Sequence, residues 1–472
     1  MNFKGISYYL GLFCFPVSFL AFINILYSSY FDYFLNLDSY TVTLLVSVII
    51  GGGFYLIGRN SLKKIHFHEQ LFLIILIYLI TSLLICIPYY LSNYQLSFIN
   101  SFFEAVSGLT GTGFSIFENI KYLDPTLIIW RSSTQWIGGL YFLIFLLLFF
   151  SNSQFNYKLN KLVFSSDKSL NPENNIKKFS LKIFFLYALL TAIVFILFTF
   201  SGVRLFNGLN LSMTIVSAGG FLPTNNLNQI IKTNIQELML IIALFISMFN
   251  IYFFYNIFKE NFFFKKHYED VSIFALIISV TIVLLFFLNE ENFFKILINV
   301  LSSVSTSGIT LGNFPNNYSL FFIFLTIIGG SILSNTSGIK FLRIYILLKA
   351  SSIEIFKLVK PNNIINQNIL FSENKINNEN IKISFLIFIS FFISLFILSG
   401  ILLFDEINFE NSFRLSILTL TNTATSSIFG ITNIDFSNLL TNSKFFIIIF
   451  MIIGKIELIS LFLIVKQIFF KN

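Results

Sequence analysis

Ten apolar blocks along the chain each approach the roughly 17 to 25 residues needed to cross a hydrocarbon core, at about 6–29, 40–58, 70–92, 126–150, 181–202, 235–257, 271–288, 319–348, 381–403 and 444–468. The pattern predicts an all-α integral membrane protein with ten transmembrane helices. After the first two blocks one unit recurs four times: a span, a shorter semi-polar segment, a Gly/Ser/Thr turn and a second span. The short segments are "SFINSFFEAVSGLTGTGF", "LFNGLNLSMTIVSAGGF", "FFKILINVLSSVSTSGI" and "NSFRLSILTLTNTATSS". A helix of about 12 residues reaches only halfway through a bilayer at 1.5 Å per residue, so each is expected to enter and return. Returning backbone cannot face lipid and must be buried or line a watery path. Four such segments predict four re-entrant pore helices around a shared axis.

Glycine admits φ > 0 and so can turn a carbonyl toward that axis. Four strands of Gly, Ser and Thr can build a cage of oxygens that replaces a cation's hydration shell, with the partly negative ends of the short helices aimed at the ion. A single "SAGGF" is more readily explained as close helix packing. Four in matching positions favour a pore.

Composition agrees. The 472 residues are 56% hydrophobic, include 65 Phe and are only 11% charged, against about 25% charged in soluble domains. The net charge of +8 follows topology and not nucleic acid. Lys and Arg gather in alternate loops (Arg59, Lys63, Lys64; Lys158 to Lys178; Lys259, Lys265, Lys266; Lys349 to Lys375), while Asp32, Asp38, Asp124, Glu290, Glu291, Asp405, Glu406, Glu410 and Asp435 occupy the others. The positive-inside rule then puts both termini in the cytoplasm. The first span is expected to be retained, because its apolar stretch is long and lacks a small-residue cleavage site. Cys14 and Cys86 sit in separate spans and support neither a disulfide framework nor a metal site.

These segments resemble the Trk/Ktr potassium uptake family, in particular pore subunits of the TrkH type. "GLTGTGFSI" is similar to the first filter strand, "WRSSTQWIGGL" to the signature after it, and "VSAGGF" and "VSTSGITLGNF" to the second and third strands. The resemblance implies gated, channel-like potassium uptake, with filter residues Thr110, Gly111, Thr112 and Gly113; Ala218, Gly219 and Gly220; Thr306, Ser307 and Gly308; and Asn422, Thr423 and Ala424. It implies a homodimer in the bacterial inner membrane, working with a cytosolic ring of nucleotide-binding regulatory subunits. The chain itself shows no nucleotide motif; no cofactor is expected, and potassium is the substrate. The units are two N-terminal helices (1–69) and pore repeats at 70–157, 158–262, 263–360 and 361–472.

The fourth strand departs from the family. "TNTATSSIFG" puts Ala424 where glycine is typical, or Thr425 or Ser426 if the register shifts, and an alanine Cβ is costly at a left-handed position. A less selective, sodium-permeable pore is the alternative this opens. "IIGGSILSNTSGIKFLR" resembles the family's intramembrane gating loop and supplies Gly330, Ser334, Asn335, Thr336 and Gly338. Lys455 stands in the last span where the family usually has arginine, two residues before Glu457.

An unpaired charge in a span costs at least about 2.5–3.5 kcal/mol, so Lys455 needs a polar setting; it either joins the gate or snorkels. Arg131 is expected as an anchor at the membrane surface, Glu104 as an attractor of cations at the mouth or a member of an ion pair, and Arg414 as an opponent of cations or a pairing partner between repeats. His66, His68 and His267 fall in loops expected to be solvated. The Asn-rich stretch 360–382 reads as a linker or docking surface. A secondary transporter would need inverted repeats, an enzyme a cluster of catalytic side chains, and a membrane scaffold would leave the filter-like strands unexplained.

Overall fold

The computed structural model describes residues 2–61, 65, 67–151, 176–258, 267–288, 292–312, 314–360, 366–371, 375–405, 407–431 and 434–456. The apolar blocks fold as helices because a helix satisfies its own peptide groups without water. Six helices among the described residues are long and apolar enough to cross a membrane: Phe3–Tyr30, Leu37–Gly58, Glu69–Leu91, Ser180–Phe200, Tyr268–Phe287 and Asn378–Asp405. Phe185, Ile282, Phe286 and Phe396 project outward from them, as a lipid-facing surface requires. Helix Pro125–Ser151 matches another block, yet Arg131, Ser132, Ser133, Thr134 and Gln135 on it are buried.

Two of the expected spans are interrupted. Block 235–257 is two helices, Asn234–Met248 and Ile251–Phe258, bent by 107°. The cause is tertiary. The N–H of Asn250 donates to Asp270 Oδ1 at 2.9 Å and that of Ile251 to the Leu333 carbonyl at 3.0 Å, so both leave the helical ladder. Block 319–348 is likewise Ser319–Ile328 and Phe341–Val359, separated by residues 329–340. The two interruptions dock on each other, since Ser331 N–H returns a bond to the Met248 carbonyl at 3.0 Å. The last block begins as Thr441–Ile456; its remainder, with Glu457, lies outside the described residues.

The four semi-polar segments form short helices Phe98–Thr110, Leu205–Val216, Phe293–Val304 and Phe409–Leu420. Each packs against the outgoing helix of the preceding unit. The second lies on Pro125–Ser151, the third on Asn234–Met248 and the fourth on Ser319–Ile328, while the first lies on Thr441–Ile456. This order is cyclic, and it closes the four units into a ring. Gly139 permits one of these approaches, since a Cβ there would stand 2.9 Å from the Ser217 Cβ; Gly138 permits the packing of the first short helix within its own unit, where a Cβ would collide with the Leu109 carbonyl.

The two N-terminal helices form a hairpin beside the first unit, where Tyr141 Oη donates to the Phe13 carbonyl at 2.6 Å. The described part of the Asn-rich stretch folds back as a β-bridge between Asn368 and Lys375, with Leu370 N–H on Tyr345 Oη at 3.1 Å.

Candidate functional site

The turn after three of the short helices closes with the same bond. Gly219 N–H reaches the Thr214 carbonyl at 2.7 Å, Ser307 the Ser302 carbonyl at 3.1 Å and Thr423 the Leu418 carbonyl at 2.9 Å. Gly219, Ser307 and Thr423 therefore correspond, which aligns Ala424 with Gly220 and Gly308 and leaves Thr425 and Ser426 one and two positions further on.

Each turn also has a left-handed residue two positions before the expected glycine. Gly111 has φ 77, and its counterparts Ala218, Thr306 and Asn422 have φ 56, 57 and 48. Three of the four turns thus place a side chain where glycine would be free of strain. A β-branched residue is rare there; Thr306 is held by its Oγ1, which accepts Ser337 N–H at 3.1 Å. Ala424 is not among the residues with positive φ, and neither is Gly220, whereas Gly113 and Gly308 have φ 81 and 69. The left-handed cost expected of Ala424 therefore does not arise.

What singles out Ala424 is its methyl group. A Cβ built on Gly113 would stand 2.9 Å from both Ala424 Cβ and Gly220 Cα, one on Gly220 would overlap Ala424 Cβ, and one on Gly308 would overlap the Ala424 carbonyl. One residue from each unit meets at this level. Above it, Gly113, Gly220, Gly308 and Ala424 line a single cavity of about 440 Å³, with Ser115, Thr310 and Thr425 among its other walls. Strand hydroxyls pair with one another, Thr110 with Thr112 at 2.7 Å and Thr421 with Thr423 at 2.9 Å. Asn422 Nδ2 crosses to Thr112 Oγ1 at 2.9 Å.

Buried or half-buried side chains pin the returning strands. In the first unit Glu104 Oε2 accepts Ile116 N–H at 2.8 Å; in the third, Asn299 Oδ1 accepts Leu311 N–H at 3.2 Å. Gln135 Oε1 accepts Phe221 N–H at 3.1 Å in the second. In the fourth, Arg414 donates to the Gly430 carbonyl at 3.0 Å. Two expectations change. Arg131 is no surface anchor: it is 1% exposed and pairs with Glu104 at 2.9 Å, its guanidinium 4.2 Å from the Phe221 ring centre. Arg414 pairs within its own helix, with Glu410, and not between repeats.

On the other side of the crossing lies the 329–340 break. Asn335 Nδ2 donates to the Val216 carbonyl, at the end of the second short helix, at 2.7 Å. Lys455 is buried and donates to the Asn335 carbonyl at 3.0 Å and Ser337 Oγ at 3.5 Å. Gly330 N–H donates to Thr336 Oγ1 at 3.1 Å, and Ser334 Oγ meets the same oxygen at 2.7 Å. Gly338 has φ 82. Lys340, which sequence reasoning passed over, is buried among the oxygens of this break; a second basic residue inside an apolar block was the available signal. His267 is 5% exposed rather than solvated, near Asn256 and Asp270. His66 and the His68 side chain lie outside the described part. Among the described residues no group of three or more His, Cys, Asp or Glu is placed to hold a metal.

The family model for TrkH, described as a cation transport protein, matches residues 37–267. Over that stretch the chain is similar to the TrkH family of cation transport proteins. An uncharacterized cation transporter of Methanocaldococcus jannaschii is 26% identical over 448 residues, covering 89% of this chain and 87% of that protein. The Trk system potassium uptake protein TrkG of Escherichia coli K12 is 23% identical over 458 residues, covering 93% and 92%. The crystal structure of the potassium transporter TrkH from Vibrio parahaemolyticus matches with a TM-score of 0.82 at 18% identity, over 100% of both chains, which shows the TrkH fold. The six long apolar helices among its described residues make this a multi-pass membrane protein, and the proteins it resembles are cation transporters.

Proposed function

We propose that this chain takes potassium across the bacterial inner membrane through one gated pore per chain. The observation that carries the reading is the meeting of Gly113, Gly220, Gly308 and Ala424, one from each unit, at the floor of one cavity. Short helices ending at that level direct their C-terminal dipoles inward and favour a cation. On this reading the short helices are re-entrant, the interrupted helices complete ten spans, and the basic loops put both termini in the cytoplasm. The 329–340 break is the gate: it blocks the inner side through Asn335 on Val216, Ser337 on Thr306 and Lys455 on Asn335. The names of the relatives support potassium as the ion, and the family resemblance supports a homodimer with a cytosolic nucleotide-binding ring subunit.

A second reading, a pore that also passes sodium, is favoured by the Ala424 methyl at the crossing. Flux of potassium, rubidium, sodium and lithium into vesicles holding the purified protein separates the two. Rubidium and potassium well ahead of sodium supports the first, comparable sodium flux supports the second, and no cation flux under any gating condition overturns both.

A further inference from the structure

The break between Ser319–Ile328 and Phe341–Val359 contains a cation of its own. Lys340 is 1% exposed. Its ammonium faces the Ser331 carbonyl at 3.2 Å, the Ser334 carbonyl at 3.3 Å, Ser334 Oγ at 3.5 Å, Thr336 Oγ1 at 3.1 Å and the Thr336 carbonyl. An ammonium has three hydrogens to donate, so these five oxygens exceed what directed hydrogen bonds alone would assemble. They surround a point charge, as ligands surround an ion. The backbone of Lys340 has φ 79 and ψ 134, a region that favours glycine, and its side chain turns back into the loop it terminates. Phe142 lies 5.6 Å from the ammonium. From outside, Glu269 Oε1 takes the Ile332 N–H at 2.8 Å, so the loop's oxygens turn to the lysine while one of its N–H groups turns to a carboxylate.

We propose that Lys340 is a tethered substitute for a monovalent cation, filling an oxygen cage made by Ser331, Ser334 and Thr336 that would otherwise take an ion of potassium or ammonium size. Carbonyl cages hold such ions by replacing water; here the covalently attached ammonium does so permanently, and the loop stays folded without drawing an ion from solution. The effect on flux rests on the gate reading given above, whereas the cage does not. Lys455 is a contrasting case. It meets one carbonyl and one hydroxyl from a neighbouring helix and is a strap on the loop, not its centre. A planar guanidinium donates through a rigid fork, unlike a compact ammonium. Arginine therefore suits the strap and does not suit the cage.

The test uses full-length Lys340→Met, purified and imaged by crystallography or electron microscopy in rubidium chloride and in sodium chloride. The expected result is a rubidium peak in contact with the carbonyls of Ser331, Ser334 and Thr336, with no such peak in the unmutated protein. In vesicles the same variant should pass rubidium several-fold faster than the parent with ion preference unchanged, and Lys340→Arg should behave like Lys340→Met. Absence of the peak in folded Lys340→Met, or parental flux and melting temperature in Lys340→Arg, overturns the cage. A peak without any rise in flux upholds the cage and rejects the gate. Should Lys340→Met not fold, Thr336→Val keeps the lysine and removes one oxygen of the cage; a lowered melting temperature supports the proposal and a parental melting temperature overturns it.

Discussion

The ammonium of Lys455 and the carbonyl of Asn335 are 3.0 Å apart, although 120 residues separate them along the chain. A span that could have been uniformly apolar instead holds the non-helical break in place. The Lys455 ammonium also lies 4.6 Å from the Phe142 ring centre, so it is packed as well as bonded.

Removing that strap should open the pore. Lys455→Ala is expected to raise rubidium flux in vesicles by about tenfold, since one charge-assisted hydrogen bond is of the order of 1.4 kcal/mol. Ion preference should stay as it was because the crossing is untouched, and Lys455→Arg should retain control. Lower flux from correctly inserted Lys455→Ala would assign the residue to conduction or folding instead.

Ala424→Gly should raise the potassium-to-sodium permeability ratio. The reason is steric: the methyl lies between Gly113 and Gly220, and its removal makes the four strands alike at this level. Bi-ionic flux measurements check this, and an unchanged or reduced ratio rejects it.

Gly113→Asp, Gly220→Asp and Gly308→Asp should each abolish potassium and rubidium flux in protein that still inserts. Even a Cβ at these positions meets another strand, and the carboxylate adds bulk at the same level. Parental flux in all three would refute the pore.

Arg131→Ala should cost about 3–5 kcal/mol, the usual penalty for leaving one member of a buried ion pair alone. It strips Glu104, which also holds the returning strand at Ile116. A clear fall in melting temperature is expected. In the double variant Glu104→Gln with Arg131→Met, part of that loss should return, because no charge remains unpaired. Equal melting of the single variant and the parent would contradict the coupling.

The short helices were legible because their length and their Gly/Ser/Thr ends are local properties. The correspondence of Ala424 with Gly308 was legible too, although the physical reason attached to it was not: φ at that position is set by how the strands cross, and the left-handed burden falls on Ala218, Thr306 and Asn422. The bend at Phe249 and Asn250 had no local signal, since "FISMFNIYFF" contains neither Gly nor Pro. Asp270 and Leu333, both distant in sequence, create it by taking the backbone bonds. Arg131 looked like a surface residue because periodicity does not reveal that Glu104 waits across the turn.

The cyclic order of packing bears on how the protein is made. The first short helix, Phe98–Thr110, rests on Thr441–Ile456, so a segment synthesised early finds its neighbour only when the chain is nearly finished. Because elements emerge in order from the ribosome, the early units must wait in the bilayer with one flank unsealed, and a chain cut short before Thr441 would leave that flank open to lipid for good. The closing helix also carries the lysine that straps the loop. The helix that closes the ring and the side chain that straps the loop are therefore one late-arriving segment, and a chain cut short before Thr441 lacks both.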